Sequence, residues 1–207
     1  MDCRSTRKPN ETRAFVSKIA PGEHIAQFYA DDSVLLEALT AFAAGGLTAG
    51  DSIIVIATRE HLRALRERLV SARVDLANAI IQDRYITLNA ETALSAFMLQ
   101  GWPDEALFRC LISHLLERAA ANSRRVRAFG EMVALLWAQG CTAATVRLEQ
   151  LWNQFCEESR LSLFCAYPSA GFDQDASRSL AEICAVHSRV IGAPSRETAN
   201  SSALPAA

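Results

Sequence analysis

The chain has 207 residues, 50% hydrophobic, 21% charged and 7% aromatic, which excludes a disordered chain and is enough to bury a core without disulfide or metal staples. Twenty-one basic and 23 acidic residues leave a net charge of −2, so the composition indicates no basic surface for nucleic acid. The six cysteines, at positions 3, 110, 141, 156, 165 and 184, include no CxxC pair. The N-terminus MDCRSTRKPNETR lacks the apolar stretch of a signal peptide. No run approaches the ~18 apolar residues of a bilayer span. A reducing, cytoplasmic location with no membrane contact is the expectation.

Residues 1–20 are polar and basic and read as a flexible tail; 21–192 read as the folded domain. HIAQFY, His24–Tyr29, is the first expected strand, and Asp31-Asp32-Ser33 offers an N-cap for a helix carrying Leu35, Leu39 and Phe42. That helix is expected to end at Gly45-Gly46 through a left-handed C-cap. IIVIA, Ile53–Ala57, is a continuous β-branched run of the kind covered on both faces in a parallel sheet. Thr58 caps the next helix, whose Leu62, Leu65 and Leu69 face inward. A short helix or turn at 75–82 precedes strand Tyr85–Leu88, and a short helix around 91–99 meets a break at Gly101-Trp102-Pro103. A longer helix follows over Asp104–Ala121. The fourth strand is Val126–Gly130, and Glu131 opens a helix interrupted near Gly140. Leu148, Leu151, Trp152 and Phe155 share one face of the helix that follows. The fifth strand is Leu161–Ala166, and a last helix over about 175–188 aligns Leu180, Ile183, Cys184 and His187. Residues 193–207 are rich in Ala, Ser and Pro and read as a disordered tail.

Strands alternating with helices, without tight hairpin signals, predict an α/β fold: a three-layer sandwich with a parallel sheet between helices. Such sheets bind ligands beyond the carboxyl ends of their strands. The candidate ligand-binding residues are therefore His24, Tyr29, Asp31, Asp32, Thr58, Arg59, Glu131 and Tyr167, with Asn89 and Pro168 at the same edge.

The motifs argue against catalysis. A phosphate-binding P-loop would place GxxxxGK[ST] after the first strand, but that turn reads YADDSVLLEAL, with two acids and neither glycine nor lysine. No GxGxxG or GxSxG occurs. Glu131 has two readings: a first-turn glutamate favoured by the helix dipole, or a retained ligand or signalling contact. Cys184 and His187 also have two readings. The preferred one is core packing on one helical face; as metal ligands they would need two further donors, for which Cys165 and His24 are the loose candidates. No catalytic residue, metal or cofactor is assigned. His61 and His114 fall on solvated or mixed helix faces.

Several segments together resemble the MEDS domain, the methanogen/methylotroph DcmR-type sensory domain. They are HIAQFYADDSVLLEALTAFAAGGLTAGDSIIVIAT, FGEMVALLWAQG, RLEQLWNQF, LFCAYP and ICAVHSRVI, in the family's order over about residues 20–192. The resemblance implies a RecA- or KaiC-like core lacking its P-loop, and a sensory role in bacterial signal transduction. Family members carry the domain beside histidine-kinase or DNA-binding modules. Neither tail here is long enough for such a module, so the expected partner is a separate signalling protein, such as a histidine kinase or transcriptional regulator. A small-molecule ligand and self-association into a homo-oligomer are further expectations. The alternative is a degenerate RecA-like nucleotide-binding protein with weak or no ATPase activity.

Overall fold

The computed structural model describes residues 9–169 and 177–192. In chain order the elements are α1 (Pro9–Val16), β1 (His24–Tyr29), α2 (Asp32–Thr48), β2 (Ser52–Ala57), α3 (Arg59–Ser71), α4 (Leu76–Ile81) and β3 (Tyr85–Asn89). There follow α5 (Ala90–Phe97), β4 (Met98–Leu99), β5 (Trp102–Pro103), α6 (Glu105–Ala119) and β6 (Val126–Gly130). The last elements are α7 (Met132–Ala138), α8 (Thr142–Ser159), β7 (Ser162–Pro168), α9 (Ser177–Val186) and β8 (Arg189–Ile191). Six strands form one parallel sheet in the order β3-β2-β6-β7-β1-β8.

Side chains alternate across the sheet, so each strand feeds two cores. Ile25, Ile53, Val55, Phe129 and Phe164 face α1–α4, where they meet Leu39, Phe42, Leu65 and Leu69. Ala26, Phe28, Ile54, Ile56, Leu163 and Cys165 face the other way, onto α5–α9. Phe108 anchors this second layer, meeting Phe97, Trp152 and Phe155 edge-on with ring centroids 5.0–6.2 Å apart. This is the three-layer sandwich the sequence predicts, and β2 has the buried run expected of an interior strand.

The structure corrects four local expectations. From Pro9 the stretch read as part of a flexible tail is helix α1; its Val16 and the following Ile19 are fully buried, and Arg125 and Arg127 grip the carbonyls of Ile19 and Ser17. Gly45-Gly46 does not end α2, which continues to Thr48. The two glycines instead permit close packing: a Cβ on Gly45 would lie 2.8 Å from the Ser17 carbonyl oxygen, and one on Gly46 2.4 Å from Ile53 Cδ1. The break at 101–103 is a miniature hairpin, β4 with β5 antiparallel, turned by Gln100 (φ 52°) and Gly101 (φ 79°). A sixth strand, β8, pairs with β1 at the sheet edge. The last helix spans Ser177–Val186, and the expected tail 193–207 lies outside the described residues. Among the described residues no helix is long and apolar enough to cross a membrane.

Candidate functional site

Adjacent strands β2 and β6 lead into helices on opposite faces, since α3 joins the core of one layer and α7 that of the other. Such a divergence opens a crevice at the carboxyl ends of the two strands, the usual ligand position in open α/β sheets. Glu131 spans it. Its backbone N–H donates to the Ile56 carbonyl, Oε2 accepts from the Thr58 N–H at 2.8 Å, and Oε1 accepts from His61 Nδ1 at 2.7 Å. A carboxylate only accepts, so Nδ1 of His61 carries a proton. Nε2, on the far side of the ring, lies 3.6 Å from Asp32 Oδ2, which reaches over from the start of α2.

Burial grades across this array. Glu131 is 5% exposed, His61 12% and Asp32 70%, so the chain Glu131–His61–Asp32 runs from the interior to solvent. The hydrogen bond to Glu131 raises the His61 pKa above its ordinary 6.5 against the opposing effect of burial; Asp32 adds to the rise. Tyr29, at the end of β1, is pushed well above the ordinary phenol range by burial first, and then by Glu131 and Asp32. The edge thus combines an imidazole whose protonated form its acidic neighbours favour with an exposed carboxylate.

Of the candidate residues, Tyr29, Asp32, Thr58 and Glu131 come together here. Asp31 is committed to capping: its side chain accepts from the amides of Ser33 and Val34, and with the Ser33 hydroxyl these bonds hold its pKa down. Arg59 is exposed on the first turn of α3. His24 and Tyr167 are elsewhere. Both are buried against the second layer, where Tyr167 stacks on Phe28 with centroids 5.4 Å apart and its hydroxyl donates to Glu149. His24 opens β1 and so lies at the amino end of that strand, away from the carboxyl edge, and the odd-numbered side chains of β7, Tyr167 among them, point under α8 and α9.

The sequence puts His61 on a solvated or mixed helix face; instead, three residues beyond the N-cap Thr58, it rises on the first turn beside the Glu131 crevice and is only 12% exposed. Glu149, a fully buried acid on α8, is not among the residues the sequence singles out. Glu149 stands three residues before Trp152 and seven before Cys156, a spacing that places it on the inward face.

A groove of about 760 Å³ lies at the opposite end of the sheet between α1 and α2, with Arg13, Lys18, Arg125 and Arg127 in its lining. Its size does not make it the better candidate. Arg127 is bound to Asp51 Oδ2 at 2.6 Å and to the Ser17 carbonyl, and Arg125 to Ser162 Oγ and the Ile19 carbonyl. Those guanidinium groups are spent fastening α1 to the sheet.

A family model described as MEDS, the methanogen/methylotroph, DcmR sensory domain, matches residues 23–188, which takes in the sheet from β1 through β7 and the whole edge array. No curated protein matches the chain.

Proposed function

The chain belongs to the MEDS family of sensory domains, and on that premise we propose that it is a non-catalytic sensor binding a small molecule at the carboxyl edge of its sheet. The observation that carries this reading is the Glu131–His61–Asp32 array across the β2/β6 divergence. Its outer member is an exposed acceptor beside the His61 imidazole, and Asp31 adds a further negative charge to the same turn. The fitting ligand is small, uncharged or cationic, and offers a hydrogen-bond donor to Asp32. A triphosphate would meet two carboxylates at the turn where a P-loop supplies free amides, so nucleotide binding fits this edge less well.

The array joins the starts of α2, α3 and α7. A ligand that displaces Asp32 from His61 changes how α2 sits against α3, and a partner protein that discriminates between the two arrangements receives the signal. The coupling equals the difference in ligand affinity between those states. A thermal-shift screen of the full chain tests the proposal with small amines, alcohols, carboxylates and ATP. Stabilisation by an amine or alcohol in the parent, lost in Asp32→Asn, is expected. Stabilisation by ATP alone would favour the nucleotide-binding alternative, and silence across the panel would leave no support for a small-molecule sensor.

A further inference from the structure

Beneath α8 and α9, apart from the edge array, four side chains converge from four places in the fold. His24 opens β1, Cys165 lies within β7, Glu149 is on α8, and His187 follows α9. All four are buried, and one donor atom from each lies within 4.8 Å of all the others. We propose that this cluster is a closed, four-coordinate site for a divalent transition-metal ion of the zinc class.

Bonds of about 2.0–2.2 Å to nitrogen or oxygen and about 2.3 Å to sulfur give a tetrahedron whose edges run roughly 3.3–3.6 Å. The observed separations are 3.3 Å from His24 Nε2 to Glu149 Oε2 and 3.4 Å from His24 Nε2 to Cys165 Sγ. Glu149 Oε2 lies 3.6 Å from Cys165 Sγ, and Glu149 Oε1 lies 3.5 Å from His187 Nε2. These four separations match tetrahedral edges, and the remaining ones stay within 4.8 Å.

His187 Nδ1 lies 2.6 Å from the Ile183 carbonyl, which only accepts, so Nδ1 bears a proton, and in the neutral tautomer this leaves Nε2 presenting a lone pair to the cluster. Nε2 has no hydrogen-bond partner among the described residues, and the carboxylate beside it is another acceptor. Two facing acceptors call for a cation between them. A backbone carbonyl behind a ligating imidazole and a hydroxyl on a ligating carboxylate, here Tyr167 on Glu149, are the outer contacts that orient metal ligands.

Two neutral imidazoles, one thiolate and one carboxylate balance a divalent ion, giving a neutral group fit for full burial. Binding displaces the Cys165 thiol proton to solvent. The nitrogen and sulfur donors select zinc or cobalt over magnesium or calcium. Because the ligands span residues 24–187, the ion would tie the first and seventh strands to α8 and the C-terminal segment, so loading would accompany folding.

The test uses the full chain expressed with zinc or with cobalt in the medium and purified with a non-thiol reductant. About one equivalent of bound metal is expected. The cobalt form should show the intense visible bands of a tetrahedral site and a near-ultraviolet thiolate-to-cobalt band. Cys165→Ser should abolish the thiolate band and lower retained metal at least ~10-fold, whereas Cys110→Ser, at an exposed position outside the cluster, should keep both. Tyr167→Phe, which removes no ligand, should weaken metal retention ~10- to 100-fold, so the test does not depend on Cys165→Ser folding. Folded parent protein holding less than about a tenth of an equivalent of either metal would overturn the proposal, as would a thiolate band that persists in Cys165→Ser.

Discussion

Replacing Glu131 tests the edge array at its inner end. The carboxylate makes two charge-assisted hydrogen bonds, 2.8 Å from the Thr58 N–H and 2.7 Å from His61 Nδ1, and it is nearly inaccessible to solvent. Hydrogen bonds to charged groups contribute roughly 1.5–3 kcal/mol each. Glu131→Ala removes both and leaves the Thr58 amide without its acceptor, so a loss of about 3–5 kcal/mol is expected, on the order of 10 °C in melting temperature. Glu131→Gln keeps an acceptor for Thr58 but not the charge, and should lose only ~1–2 kcal/mol. The contact to Asp32, exposed to solvent, adds at most about 1 kcal/mol. The pH dependence has a definite sign. Folding raises the His61 pKa, so its stabilising contribution is fully present below about pH 6.5 and is lost as pH rises through the raised folded value. Urea denaturation across that window, with NMR titration of the His61 ring, measures both effects. A Glu131→Gln chain in which His61 titrates at the parental pH would refute the reasoning.

Other perturbations test the scaffold. Gly45→Ala should destabilise the chain by about 1–3 kcal/mol in urea denaturation, despite alanine's greater helix propensity, because its methyl meets the Ser17 carbonyl; a stabilised variant would show that α1 does not pack there. Asp51→Ala strands the buried Arg127 guanidinium and should cost about 3–5 kcal/mol by the same assay. An unchanged midpoint would mean that the pair is open to water. Phe108→Ala removes the ring that meets three other aromatics and should lose about 3–5 kcal/mol; a loss below ~1 kcal/mol would contradict its place at the centre of the second layer.

The five long strands are legible in the sequence because runs such as IIVIA and LFCAY are too apolar for any place but the sheet interior. The sixth is not: Arg189–Ile191 is three residues long and only partly buried, and its pairing with β1 is a tertiary choice. Helix α1 hides behind PNETRAFV, whose polarity conceals that Val16 and Ile19 dock at its far end. The glycine pair misleads because a helix end and a close helix crossing require the same residue. At the edge, Tyr29, Asp32, Thr58 and Glu131 follow from strand ends alone, since topology fixes where strand ends gather. His61 and Glu149 depend on helical phase measured from a cap or an aromatic neighbour, a signal that periodic apolar residues overshadow.

The central claim, that the Glu131–His61–Asp32 edge takes the ligand, is tested most directly by following the His61 ring by NMR while a stabilising small molecule is titrated into the full chain. At a hundredfold excess over Kd such a ligand contributes about 2.7 kcal/mol, or roughly 5–10 °C in melting temperature. The His61 resonance is expected to move saturably over the same concentration range, and Asp32→Asn to abolish both responses. Stabilisation with His61 unmoved would place the ligand elsewhere and contradict the claim.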